Sequence, residues 1–306
     1  MSESAGAVTV RLRGGLGNQL FQYAAGRALA SKWHCRLRLD TSTLETPQGP
    51  VTKRSLAIDE FAHDGFIVRD VTRDNRRIRG FAPLSRLLES RRFQRGLVFE
   101  ERSLSFDEAF LQLPQGVTLD GYFQCERYFE TVSDSVKREI TTLRRPSAWY
   151  LHEIEKPIRG SEVVAVHLRL GDYLQPQNAA FHGVLQENYY RSALKALDRQ
   201  GSVNEVMVFT DDVLAAERLT QSWGFNTTVV RPHQASSSLE SLLLMSRYRR
   251  LVIANSSFSW WAAWLASRAS GTAVVAPDPW FRDSALDGSN IVPSGWVRLE
   301  HRWVEG

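Results

Sequence analysis

Cysteine is nearly absent. The 306 residues contain two, Cys35 and Cys125, too few for a disulfide framework and without the spacing of a metal site. No apolar run reaches the ~18 residues that a bilayer-spanning helix requires. Residues 1–6 have neither a basic stretch nor an apolar one, so no secretory leader is read. Charge of one sign is also lacking: 38 Lys and Arg face 34 Asp and Glu, a net charge of +4. That balance does not point to a nucleic-acid partner. Together these absences lead to the expectation of a soluble protein in the reducing cytoplasm. What remains is an ordinary globular composition, 43% hydrophobic and 24% charged, which excludes disordered and low-complexity classes. The length suits two domains.

The chain opens with a strand-like run, Val8 to Leu12, a glycine turn at Arg13-Gly-Gly-Leu-Gly-Asn18, and an apolar helical pattern that includes Leu20, Tyr23 and Ala24. A second strand follows at Arg36 to Asp40, giving a βαβ start. Residues 69–102 are rich in arginine, with Leu84, Leu87 and Leu88 at helical spacing. A solvated helix face is the plain reading, and contact with an anionic membrane surface the sharper one. From Val163 onward, five strand-like runs alternate with four helical ones to about Ala276, the pattern of a doubly wound parallel sheet. Proline and charge between Arg144 and Pro157 break the periodicity, so the domains are set at 1–155 and 156–306.

Ligands of open parallel sheets bind beyond the carboxyl ends of the strands, and polar clusters fall there. His167-Leu-Arg169-Leu-Gly-Asp172 ends one predicted strand, Thr210-Asp211-Asp212 the next, and Asn255-Ser256-Ser257-Phe258 leads into the helix that carries Trp260 and Trp261. A guanidinium at position 169 suits bidentate phosphate binding; its competing role is a salt bridge to Asp172. The small hydroxylated residues 255–257 suit a phosphate at a helix N-terminus, or serve simply as a cap. Asp212 is expected to cap the helix at Val213, and no metal site is read from the Asp211–Asp212 pair. The tryptophan pair is expected in the core. Gly15-x-Gly17 with Asp40 imitates a dinucleotide fingerprint, but position 20 is leucine rather than glycine. The turn is instead expected to project Asn18.

These motifs, Gly14–Ala30, His167-x-Arg-x-Gly-Asp-Tyr173, Phe209-Thr-Asp-Asp212 and Ile253–Ala263, with Gly121–Phe129 between them, resemble those of the α-1,2-fucosyltransferases of glycosyltransferase family 11. The resemblance runs in order along nearly the whole chain. It implies a GT-B-like fold of two Rossmann-type α/β domains facing across a cleft, with the N-terminal domain on the acceptor side. It further implies metal-independent, inverting transfer of L-fucose from GDP-β-L-fucose to the 2-hydroxyl of a galactose. No cofactor is expected. The galactose would sit on an oligosaccharide or lipid-linked glycan, at the cytoplasmic face of a membrane if the basic segment touches lipid. The catalytic candidates are Arg169, Asp172 as a base, and Asn18 facing the sugar. The donor-binding candidates are His167, Arg169, Gly15, Asp211, Glu240, Asn255, Ser256, Ser257 and Phe258. The family's second arginine is Leu170 here. Strand alternation sends positions 169 and 170 to opposite sides, so its loss leaves the first in place. A different linkage, α-1,6-like, or a non-catalytic glycan-binding protein are the alternatives.

Overall fold

The computed structural model describes residues 6–45, 55–68, 76–78, 97–157, 160–171, 183–267 and 269–303. Contacts divide the chain into two units, residues 1–144 and 145–306. The division falls at the start of the proline- and charge-rich stretch rather than at 155/156. The reason is local: helix Ala148–Glu155 is capped by Ser147, whose N–H and hydroxyl both donate to Glu240 of the second unit, at 2.5 and 2.8 Å.

The first unit contains β1 (Val8–Arg11), α1 (Leu16–Lys32), β2 (Leu37–Asp40), the one-turn α2 (Ser42–Glu45), β3 (Phe66–Val68), β4 (Arg76–Ile78), β5 (Leu97–Glu100), β6 (Thr118–Asp120) and α3 (Ser133–Thr141). Its strands form a parallel sheet in the order β3-β2-β1-β6-β5-β4. Helix α1 is buried over most of its length and lies so close to the sheet that a Cβ on Gly26 would meet Val10 at 2.3 Å. Four strands beyond the βαβ start are not legible in the sequence, because β3, β4 and β6 are three residues long and too short to show a period. Of the arginine-rich stretch, residues 76–78 and 97–100 are strands; Leu84, Leu87, Leu88 and the proposed membrane face lie outside the described residues.

The second unit runs α4 (Ala148–Glu155), β7 (Val163–Leu168), α5 (Glu187–Gln200), β8 (Glu205–Thr210), α6 (Val213–Thr220), β9 (Thr227–Val229), α7 (Ser238–Met245), β10 (Arg250–Val252), α8 (Ser257–Ser267), β11 (Ala273–Asp278) and β12 (Val297–Glu300). The sheet is parallel, in the order β12-β11-β10-β7-β8-β9. Counted within the unit, that is the 3-2-1-4-5-6 arrangement of doubly wound nucleotide-binding sheets. The expected strands and helices are present. The unexpected sixth strand, β12, lies at the sheet edge with mostly exposed side chains, so it carries no apolar run. β7 is buried throughout, as a central strand of a sheet covered on both faces must be. Trp260, Trp261 and Trp264 are core residues.

Candidate active site

In the second unit the direction of winding reverses between β7 and β10, and the crevice beyond their carboxyl ends is where a doubly wound sheet takes its ligand. A cavity of about 220 Å³ lies at this edge, lined among others by His167, Arg169, Asp211, His233, Ser241 and Phe258. Arg169 follows β7 and Asp211 follows β8, and their side chains meet at Nη1–Oδ2 2.6 Å. The other Asp211 oxygen accepts the N–H groups of Leu170 and Gly171, at 2.9 and 3.1 Å. Asp211 thus fixes both the guanidinium and the turn behind it. Gly171 has no room for a side chain, since a Cβ there would lie 2.7 Å from Asp211 Oδ2. Leu170 points into the core while Arg169 faces the cavity, the alternation expected of these positions.

His167 is 3% exposed and stacks on Phe258, ring centroids 5.0 Å apart. Burial, reinforced by the Arg169 charge and opposed by Asp211, pushes its imidazole down to about 3. The ring is therefore neutral at physiological pH and leaves the guanidinium as the cation on this wall. Its Nδ1 is buried and has no hydrogen-bond partner, and a buried polar atom left so costs about 1–3 kcal/mol. Such an orphan beside a cavity marks a place that a polar ligand completes.

Several sequence candidates stand elsewhere. Glu240 is a correction: it is 2% exposed, closes a capping box with Ser237 on α7 and binds Ser147 through both oxygens, so it is not in the cavity wall. Its neighbour Ser241 is, together with Ser236, Ser237 and Ser238 at the start of α7. Asn255 is also buried, its amide donating to the Trp280 carbonyl at 3.2 Å. Ser256 Oγ accepts the Phe258 N–H at 3.3 Å as a local cap; neither it nor Ser257 lines the cavity, although Phe258 does. Asp212 caps α6, accepting the Ala215 N–H at 3.0 Å, as expected. Tyr189 is 3% exposed in the core, with its hydroxyl donating to the Ile253 carbonyl. Asp172 lies outside the described residues.

Gly15 and Asn18 belong to the first unit, at the turn from β1 into α1. Gly14 has φ +76° and Gly15 caps the helix without a side-chain bond. Asn18 Oδ1 accepts from Gln124 Nε2 at 2.7 Å. Sequence reasoning missed the two fully buried amides that hold this turn. Gln19 donates to the Gly14 and Ser55 carbonyls and accepts from Ala57 N–H. Gln22 accepts from Arg13 N–H and donates to the Gly121 carbonyl. Asp40 is occupied structurally, accepting Ser42 N–H at 3.0 Å. Among the described residues no cluster of three or more metal-ligating side chains occurs, and no helix is long and apolar enough to cross a membrane.

The fold has a solved counterpart in a mutant of FUT1 from Arabidopsis thaliana in complex with GDP. The TM-score is 0.50 at 15% identity, covering 85% of this chain and 68% of that one. The fold is GT-B-like, an architecture of glycosyltransferases. The chain belongs to glycosyl transferase family 11: the family profile matches residues 102–300. An alpha-1,2-colitosyltransferase of Escherichia coli is 30% identical, over 96% of this chain and 99% of its own length. Galactoside 2-alpha-L-fucosyltransferase SEC1 of Bos taurus is 23% identical, over 85% of this chain and 65% of its own. The chain is therefore a fucosyltransferase-like glycosyltransferase.

Proposed function

We propose that the protein transfers L-fucose from GDP-β-L-fucose to the 2-hydroxyl of a galactose residue, with inversion and without a metal ion. The observation that carries this reading is the guanidinium of Arg169, held by Asp211 at a strand-end cavity whose buried His167 has an orphaned Nδ1. The galactoside 2-fucosyl activity in one relative's name, the 1,2-linkage in another's and the GDP in a structural counterpart support donor, linkage and nucleotide.

In this reading the diphosphate lies against Arg169 and the His167 Nδ1–H, and the base extends towards the serines at the start of α7. The acceptor oxygen attacks the anomeric carbon from the face opposite the phosphate. The carbon–oxygen bond to the β-phosphate breaks, and GDP leaves with the electron pair and one further negative charge. Arg169 meets that charge, a type of stabilisation worth about 3–4 kcal/mol per well-placed group. The hydroxyl proton passes to Asp172, the base proposed from sequence, or to water. Asn18 is proposed to contact the sugar, and the acceptor is either a free galactoside or a lipid-linked glycan on the cytoplasmic side of a membrane. The 30%-identical relative favours a second donor: colitose differs from fucose by one absent hydroxyl, and a GDP sugar of that kind fits the same diphosphate chemistry. The test offers GDP-fucose and GDP-colitose with free and lipid-linked galactosides in EDTA. Fucosyl product with a 1,2-linkage by NMR is expected; no product without added metal, or another linkage, overturns the reading.

A further inference from the structure

We propose that Glu101 is a positioning residue: it holds the 121–124 turn so that Gln124 sets the side chain of Asn18 toward the sugar. This rests on the role proposed for Asn18. In the first unit β1 and β6 are parallel neighbours, so the segments that follow those two strands lie side by side at one end of the sheet. Asn18 lies in the first turn of α1, after β1, and Gln124 in the segment after β6, and their amides bond to each other at 2.7 Å. The turn bearing Gln124 is clamped from both sides. Gln22 Nε2 donates to the Gly121 carbonyl at 3.1 Å, while the Glu101 carboxylate accepts Tyr122 N–H at 2.6 Å and Phe123 N–H at 2.9 Å. The buried Phe123 has φ +54°, a left-handed conformation that an L-residue keeps only where its surroundings impose it. Gly121 closes the clamp, since a Cβ there would lie 2.4 Å from the Glu101 Cβ.

Two accepted backbone N–H groups require two acceptor oxygens, which the ionised carboxylate supplies and a primary amide does not. Burial pushes Glu101 up to about 7, against those two bonds and the Arg13 charge. The other groups facing it are Cys125 and Tyr128, both raised by burial and so further from neutrality, and the Arg13 cation. An acid limb near pH 7 in turnover is thus assigned to Glu101.

The test measures GDP release from GDP-β-L-fucose, with and without lactose, for the parent, Glu101→Gln, Asn18→Ala and the double variant. Glu101→Gln is expected to lower kcat at least tenfold and to abolish the acid limb, with the Kd for GDP unchanged. In the Asn18→Ala background it is expected to cost less than twofold. Equal losses in both backgrounds, or an unchanged kcat, overturn the proposal. If Glu101→Gln does not fold, Gln124→Ala replaces it in the same cycle with the same kcat criteria. A parent that fails to bind GDP defeats the donor reading instead, and is a separate outcome.

Discussion

Removing the guanidinium of Arg169 separates catalysis from stability, because the structure predicts very different magnitudes for the two. The Arg169 and Asp211 side chains are 23% and 25% exposed, and a pair that accessible contributes at most about 1 kcal/mol. Nor does Arg169→Ala strand a carboxylate, since Asp211 keeps the N–H groups of Leu170 and Gly171. At roughly 2–4 °C per kcal/mol for a domain of this size, Tm should fall by no more than about 4 °C. In the transition state the same guanidinium faces the charge developing on the leaving phosphate, where its loss is worth about 3–4 kcal/mol, or roughly 100- to 1000-fold in kcat. Arg169→Lys should recover less than about tenfold of that, because an ammonium cannot reproduce the planar fork. Steady-state kinetics beside a circular-dichroism melt reads both quantities. A folded Arg169→Ala protein with kcat within threefold of the parent would refute the reasoning.

Gly171→Ala, which drives a methyl group against Asp211 Oδ2, should lower kcat about tenfold or more with little change in Tm, because it displaces the group that aims Arg169. Glu240→Ala should do the reverse: it leaves Ser147 and Ser237 N–H groups without their acceptor, so a loss of about 2–4 kcal/mol should appear in the melt while GDP affinity changes less than threefold. Glu101 sets a stability slope opposite to its kinetic limb. Its carboxyl titrates at about 7 in the folded protein against the ordinary 4.5 of a glutamate, so the folded state holds the extra proton and stability falls as pH rises from about 4.5 to 7. Denaturant melts across that range should show the fall in the parent and a flatter profile in Glu101→Gln. Because His167 stays neutral above about 3, GDP affinity should show no titration of this histidine between pH 5 and 9, and the pH profile of His167→Gln should match that of the parent.

The second unit was legible in the sequence because β7, β8 and β11 are six residues long and largely buried, and helices alternate with its strands. His167, Arg169, Asp211 and Phe258 were legible because they sit at the ends of those strands. Glu240 lies outside the cavity wall, and Ser237-x-x-Glu240 is a capping-box signature visible without coordinates. The first unit was largely illegible, since three of its six strands are three residues long and the sheet is held by distant pairings such as β1 with β6. Gln19 and Gln22 were opaque for another reason. Their partners lie up to 99 residues away, so nothing local distinguishes a buried amide clamp from a surface glutamine.

The most direct measurement is a crystal structure of the protein grown with GDP in the presence of EDTA. The diphosphate should lie within hydrogen-bonding distance of the Arg169 guanidinium, with His167 Nδ1 satisfied by the nucleotide and no cation beside the phosphates. Nucleotide density away from the β7–β8 edge, or phosphates that bypass the guanidinium, would contradict the account.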